Sequence, residues 1–217
     1  MQSLFKELLI NVTSFFRDPE AFATLKKDVL PQLFAGKPGG YVFRVWVAGC
    51  ATGEEAYSIA ILMREFMDET GQEFKVQIYS TDLDEDAIAL ARAGVYPPNI
   101  VQDVLPERLR RFFVKEEAGY RVKKEIREMV VFAVQNVIKD PPFTKLDLVS
   151  CRNLMIYLEP ELQVQTHPGL PLRPQAGRGA VPLALGEHRQ PPGSVRAAQP
   201  EVEALPGHPL RRRHPRA

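Results

Sequence analysis

The sequence predicts an α/β fold with a parallel, doubly wound sheet over residues 11–163, followed by a disordered segment over residues 164–217. Short, almost continuously apolar segments indicate strands that are covered on both faces. They alternate with helical patterns at a spacing of about 30 residues, which is typical of strand–helix–strand units. Polar residues follow the predicted strands, and in such sheets ligands bind beyond the carboxyl ends of the strands, where the strand order reverses. The sequence therefore predicts a ligand site at that edge of the sheet.

The individual elements follow from apolar periodicity and turn residues. Residues 1–10 indicate the end of a helix, and Asp18 followed by Pro19 predicts a helix that Asp18 caps and that continues to about Leu33. A helix of about 14 residues is expected after the first strand, and a helix capped by Asp84 is expected to end near Ala93. The remaining predictions are strands at 42–48, 76–80, 129–134 and 146–150, a short helix at 106–113 and a short strand at 119–122.

Composition limits the function classes. The 217 residues carry 28 Lys and Arg against 27 Asp and Glu, a formal net charge of +1, which gives no general attraction to nucleic acid or a membrane surface. No apolar run reaches the ~18 residues of a membrane span and no signal peptide opens the chain, so we expect a cytoplasmic protein without membrane insertion. Residues 1–163 contain no histidine, which argues against hydrolases and metal sites. Cys50 and Cys151 are expected to be packing residues. The enzyme class that these observations leave open is group transfer from a reactive cofactor.

The segment Gly-Cys-Ala-Thr-Gly-Glu-Glu, residues 49–55, links the first strand to a helix. Its glycines allow a ligand to approach the backbone, and the carboxylates of Glu54 and Glu55 would repel phosphate but favour a cationic or hydroxyl-rich ligand. An ordinary strand–helix turn whose carboxylates complement the helix dipole is the alternative. The spacing differs from Gly-x-Gly-x-x-Gly, which disfavours a dinucleotide-dependent enzyme.

Asp82 ends the second strand, where a carboxylate can accept hydrogen bonds from both hydroxyls of an adenosyl ribose. The alternative role is a cap for the next helix, but Asp84 is better placed for it. Residues 11–17 combine an amide, a hydroxyl, two aromatic rings and a cation. This pattern is typical of either a ligand-binding segment or an amphipathic linker. Residues 151–157 place a cation after a buried strand and a phenol five residues later, either a binding pair or a surface arginine with a core tyrosine.

Five ordered motifs together resemble the CheR-type chemotaxis receptor glutamate O-methyltransferases, most of all the methyltransferase segment of CheB/CheR fusion proteins. The resemblance covers about residues 5–163. The motifs are Asn-x-Thr-x-Phe-Phe-Arg at 11–17, Gly-Cys-x-Thr-Gly-Glu-Glu-x-Tyr-Ser at 49–58, Thr-Asp at 81–82, Gln-Asn at 135–136 and Cys-Arg-Asn-x-x-Ile-Tyr at 151–157.

The resemblance implies a class I, Rossmann-like methyltransferase fold with S-adenosylmethionine as cofactor and cytoplasmic helices of chemotaxis receptors as partners. It implies that Arg152 and Tyr157 flank the substrate glutamate. Segment 95–128 would contain a small antiparallel insertion. The implied cofactor-binding residues are Asn11, Thr13 and Arg17 in the pocket wall, Glu55 near the methionyl end, Asp82 on the ribose, Asn136 and Val137 beside the adenine, and Asn153.

The final segment departs from the family. Residues 164–217 hold 10 of the 19 prolines and all 4 histidines, and such a composition cannot bury enough apolar surface to fold. We expect residues 1–10 to be a remnant of an N-terminal helical region, and the sheet to be incomplete at its C-terminal strands. The rival interpretations are a non-catalytic S-adenosylmethionine-binding signalling module and an inert gene fragment.

We hypothesise that a frameshift near residue 164 produced this segment. Codons for residues 167–179 can be chosen so that a shift of one base gives Ile-Pro-Val-Phe-His-Tyr-Ala-Leu-Lys-Pro-Gly-Gly, the text that the family has at this point. Codons for residues 185–189 can likewise be chosen so that the same shift gives Ser-Glu-Ser-Ile-Gly, and a natural Pro/Arg-rich linker is the alternative interpretation. Sequencing the gene is the check, and codons that cannot give these words in another frame would contradict the frameshift.

Overall fold

The computed structural model describes residues 13–137 and 139–151. Its strands are β1 Val42–Ala48, β2 Lys75–Asp82, β3 Val95–Tyr96, β4 Phe113–Glu116, β5 Gly119–Val122, β6 Val130–Val134 and β7 Leu148–Ser150. Its α-helices are α1 Pro19–Thr24, α2 Leu30–Phe34, α3 Glu54–Thr70, α4 Glu85–Ala93, α5 Pro106–Phe112 and α6 Lys124–Arg127, with a π-helical turn at Leu25–Val29 and a 3₁₀ turn at Pro98–Gln102. The predictions for residues 1–12 and 152–217 lie outside the described residues.

The central sheet has the strand order β6-β2-β1-β7, and all its neighbouring strands are parallel. The chain moves outward from β1 to β2 and β6, then returns to place β7 on the other side of β1. The strand order therefore reverses between β1 and β7, the position at which such sheets bind ligands. The predicted parallel, doubly wound sheet is confirmed.

Strand β1 lies at the centre because its side chains are apolar on both faces. Phe43, Val45 and Val47 belong to the larger core, which helix α3 covers, whereas Trp46 belongs to a smaller core on the other face. The indole N–H of Trp46 donates a hydrogen bond of 3.0 Å to the hydroxyl of Thr81 in β2. Burial on both faces explains why this strand shows no polar alternation in the sequence.

Asp147 holds the short strand β7 against β1. Its carboxylate is buried and accepts hydrogen bonds from the Tyr41 hydroxyl at 2.6 Å and the Arg44 N–H at 3.0 Å. Its own N–H donates to the Arg44 carbonyl at 2.8 Å. These contacts add to the β1–β7 pairing and position Ser150, the last residue of β7, beside the end of β1.

Two helix predictions have different outcomes. Asp84 caps α4 as predicted, because its carboxylate accepts from the N–H groups of Asp86 and Ala87 at 3.0 and 3.3 Å, and the helix ends at Gly94. The prediction that Asp18 caps the first helix is wrong. Asp18 has φ +64° and its side chain makes no capping bond, since a capping side chain reaches the first turn from extended backbone.

The predicted continuous helix from residue 19 to about Leu33 is also modified. A π-helical turn, Leu25–Val29, separates α1 from α2. Pro31 explains the interruption because proline has no N–H to donate to the preceding turn. Among the described residues, no helix combines the length and the apolar character that crossing a membrane requires.

Residues 95–122 include a separate antiparallel sheet with the order β3-β5-β4. We call it the small sheet. The ring of Phe15 packs edge-on against Tyr96 of β3 and Phe113 of β4, with centroid distances of 4.8 and 5.4 Å. Phe15 is fully buried there, so this contact attaches the N-terminal part of the described chain to the small sheet.

Candidate functional site

The loop of residues 49–53 lies between β1 and α3 and is bound to the end of β2. The N–H groups of Gly49 and Cys50 both donate to the carbonyl of Thr81, at 2.8 and 3.0 Å. Gly53 has φ +93°, a conformation that L side chains rarely adopt. A Cβ at Gly53 would lie 2.9 Å from the Cβ of Ala91. Glycine is therefore needed here by both the backbone and the packing.

Asp82 is half-buried at the end of β2, and each of its carboxylate oxygens accepts one backbone hydrogen bond. Oδ2 accepts from the N–H of Ala51 at 2.7 Å and Oδ1 from the N–H of Asp84 at 3.1 Å. A carboxylate has about four lone-pair sites, so both oxygens keep acceptor capacity for ligand hydroxyls. Since Asp84 caps α4, the helix-cap alternative does not explain Asp82.

Glu54 and Glu55 are neighbours in the first turn of α3, yet they face different parts of the site. The Glu54 carboxylate accepts from the Thr52 hydroxyl at 2.7 and 2.8 Å and also hydrogen-bonds to Thr13. Burial raises the pKa of Glu54 above its ordinary value, against the effect of these hydrogen bonds. Glu55 accepts a short hydrogen bond from the hydroxyl of Ser150. The hydrogen bond between Glu55 and Ser150 therefore joins α3 to β7 at the point where the strand order reverses.

Asn136 and Val137 follow β6 at the same edge as Asp82. The N–H of Gln135 donates to the carbonyl of Asp82 at 2.9 Å, so the two strands remain paired up to this point. The N–H of Asn136 donates to the carboxylate of Asp140 at 2.7 Å and fixes the turn. Val137 packs against the smaller core around Trp46. Both residues are half-buried, so part of the surface of each is exposed and could contact a ligand.

The segment 13–17 is held against the first turns of α3. The N–H of Phe16 donates to the hydroxyl of Ser58 at 3.0 Å, and Thr13 reaches Glu54. Arg17 follows Phe16 directly and is half-buried. The structure thus brings Thr13 to the side of the loop and anchors the backbone next to Arg17, whereas Asn11 lies outside the described residues.

Arg152, Asn153 and Tyr157 also lie outside the described residues. Ser150 and Tyr96 contact the site but are not among the predicted site residues: Ser150 binds Glu55, and Tyr96 binds the loop. Ser150 could have been found, since it is the polar last residue of a buried strand. Tyr96 has no local signal, because its partner Thr52 is 44 residues away.

Cys50 and Cys151 lie beside the same edge but are packing residues, as predicted. Both are buried, and burial raises the pKa of each thiol to about 12. At neutral pH they are protonated, and nucleophilic chemistry requires the thiolate.

These donors and acceptors fit an adenosyl sulfonium. Asp82 keeps acceptor capacity for ribose hydroxyls, three residues of the loop (Gly49, Ala51 and Thr52) are only half-buried, and Glu55 places a carboxylate where the strand order reverses. A carboxylate at this position favours a positively charged ligand group.

Comparison with known proteins agrees with this fit. The family model described as CheR methyltransferase, SAM binding domain, matches residues 11–168. An uncharacterized 104.1 kDa protein of Rhodobacter capsulatus is 45% identical over 163 residues, which is 75% of this chain and 17% of that protein. Chemotaxis protein methyltransferase 1 of Pseudomonas aeruginosa is 37% identical over 158 residues, 70% of this chain and 57% of that protein. The chemotaxis protein methyltransferase of Borreliella burgdorferi is 34% identical over 162 residues, 72% of this chain and 57% of that protein.

The chain therefore spans less than a fifth of the first relative and just over half of the other two. The family model covers well over half of the chain and all five motifs, and the central sheet has the parallel, doubly wound order. On this evidence of sequence and fold, the chain belongs to the CheR methyltransferase family and contains its SAM-binding domain, with a class I, Rossmann-like fold and S-adenosylmethionine as cofactor.

Proposed function

We propose that the chain is the catalytic domain of an S-adenosylmethionine-dependent protein-glutamate O-methyltransferase. Its substrates would be glutamate side chains in the cytoplasmic helices of chemotaxis receptors, in signal adaptation in the cytoplasm. The observation that carries this proposal is the Ser150–Glu55 hydrogen bond, which places a buried carboxylate at the strand-order reversal. Asp82 binds the N–H of Ala51 in the loop of residues 49–53, and this loop leads directly into the helix turn that carries Glu55. The names of the chemotaxis relatives support the receptor substrate.

The cofactor, when bound, supplies an electrophilic methyl group. The substrate glutamate has an ordinary pKa of about 4.3 and is already ionised at neutral pH, so the chain needs no general base. This agrees with the absence of histidine from residues 1–163. The chain must instead supply position and exclude water.

The contacts of two residues support their proposed roles. Asp82 would accept hydrogen bonds from the ribose hydroxyls, and Glu55, which hydrogen-bonds to Ser150, would lie near the cationic methionyl end. The other roles remain those that the family resemblance implies: Asn136 and Val137 beside the adenine, Asn11, Thr13, Arg17 and Asn153 in the cofactor pocket, and Arg152 with Tyr157 on the substrate glutamate.

Asp82→Asn tests the cofactor site. Asparagine offers one acceptor oxygen, so its amide NH₂ would face the N–H of Ala51 or Asp84 and could not accept from a ribose hydroxyl. We expect micromolar binding of S-adenosylhomocysteine to the full chain in isothermal titration, and a dissociation constant at least about tenfold larger for the variant.

Asp84→Asn is the matched control, because asparagine caps helices about as well as aspartate. It is expected to bind S-adenosylhomocysteine like the unchanged chain. A cooperatively folded chain that gives no heat with S-adenosylhomocysteine would contradict the proposed cofactor site. Methyl ester formation on receptor cytoplasmic fragments tests the reaction, and binding without ester formation would favour the non-catalytic signalling module.

A further inference from the structure

Tyr96 connects the small sheet to the loop of the candidate cofactor site. Its side chain is almost fully buried, with 4% of the residue exposed. Its hydroxyl donates a hydrogen bond of 2.7 Å to the backbone carbonyl of Thr52. Thr52 is the fourth residue of the loop of residues 49–53, so a residue of the small sheet directly contacts the loop.

The carbonyl of Thr52 belongs to the peptide unit that joins Thr52 to Gly53. At its other end, the N–H of Gly53 donates to the carbonyl of Cys50 at 2.9 Å. Glycine has more conformational freedom than any other residue, so this unit depends on its hydrogen bonds for a fixed orientation. The two hydrogen bonds, one at each end of the peptide unit, fix that orientation.

Two aromatic rings pack against Tyr96. Its ring packs edge-on against Phe15, with a centroid distance of 4.8 Å, and lies near Tyr57 at 6.2 Å. Burial raises the pKa of Tyr96 well above its ordinary value, and the nearby Glu54 carboxylate acts in the same direction. The hydroxyl is therefore protonated at neutral pH and available as a donor.

We propose that Tyr96 is a positioning residue of the cofactor site. Its hydroxyl holds the Thr52–Gly53 peptide in the orientation in which the loop receives the cofactor. The inference rests on the proposed function, because it assigns Tyr96 an effect on that same site. It also gives the small sheet a part in cofactor affinity.

Tyr96→Phe removes the hydroxyl and leaves the ring. We expect the dissociation constant for S-adenosylhomocysteine to rise about five- to tenfold, the effect of one hydrogen bond. The KM for S-adenosylmethionine should rise by a similar factor, whereas kcat should stay within about twofold because Tyr96 acts on binding through the loop.

Tyr57→Phe is the matched control. The Tyr57 hydroxyl is also buried and also donates to a backbone carbonyl, that of Ala91 in α4, at 2.9 Å. Both variants lose one buried hydrogen bond, so both should lower the thermal midpoint by a few degrees. Tyr57→Phe should leave the dissociation constant within about twofold of that of the unchanged chain.

Hydrogen exchange without cofactor gives a second readout. The backbone amides of residues 50–54 should exchange faster in Tyr96→Phe than in Tyr57→Phe. Equal affinity and equal exchange in the two variants, in a chain that binds S-adenosylhomocysteine, would overturn the role of Tyr96 and leave the proposed function intact. A folded chain without such binding would instead overturn the proposed function and, with it, this inference.

Discussion

Gly53→Ala should lower the free energy of unfolding by about 2–5 kcal/mol, since it adds left-handed strain of about 1–2 kcal/mol to an overpacking cost of about 1–3 kcal/mol. Gly53 has φ +93°, and its new Cβ would lie 2.9 Å from the Cβ of Ala91 and 3.0 Å from ring carbons of Phe132. Relief of these contacts requires α3 to move away from α4 and β6. Chemical denaturation of the full chain measures the loss.

The same substitution should weaken S-adenosylhomocysteine binding at least about tenfold, because Gly53 ends the loop of residues 49–53. Gly71→Ala is the matched control: Gly71 has φ +65°, but a Cβ there would meet nothing within 4 Å. It should show only the backbone strain and normal binding. Equal losses of stability in the two variants would mean that the close packing around Gly53 has no energetic weight.

Glu65→Gln should lower the free energy of unfolding by about 3 kcal/mol at neutral pH, as expected when one partner of a buried ion pair is removed. Glu65 is buried, with 8% of the residue exposed. It accepts two hydrogen bonds from the Arg108 guanidinium, at 2.8 and 2.9 Å, and one from Lys26 at 3.1 Å. Arg108 also lies over the ring of Phe16, 4.1 Å from its centroid. Glutamine would leave the Arg108 charge without its counter-charge.

The pH dependence follows from the direction of the pKa shift. Burial alone would raise the pKa of Glu65, but the hydrogen bonds and charges of Arg108 and Lys26 outweigh it and lower the pKa below its ordinary value. Because the folded-state pKa is the lower one, the stabilisation is complete above the unfolded-state value of about 4.3. It is lost as the pH falls toward the folded-state pKa. The stability difference between the unchanged chain and Glu65→Gln should therefore be constant near neutral pH and shrink in acid.

Glu69→Gln provides the comparison for this ion pair. Glu69 binds the same Lys26, at 2.7 Å, but its side chain is 57% exposed, and exposed pairs contribute about 0–1 kcal/mol. Similar small losses in both variants at neutral pH would show that the buried network around Glu65 does not stabilise the fold as proposed.

Local patterns in the sequence determined the elements and most of the site edge. The nearly continuous apolar run of β1 indicated burial on both faces, and Asp84 and Gly94 marked the ends of α4. Asp82 was identifiable because a polar residue after a buried strand has a known geometric position in such sheets. These features depend on neighbouring residues, so the sequence carries them directly.

Tertiary structure decided what distant residues do together. Asp18 has the sequence position of a helix cap, but its backbone is left-handed and its side chain makes no capping hydrogen bond. Glu54 and Glu55 look equivalent in the sequence, yet one faces the segment 13–17 and the other binds Ser150. Tyr96 hydrogen-bonds to Thr52, 44 residues away, and packs against Phe15, which is far from both along the chain. Such contacts join residues far apart in the chain, and no local pattern of residue types specifies which of them meet.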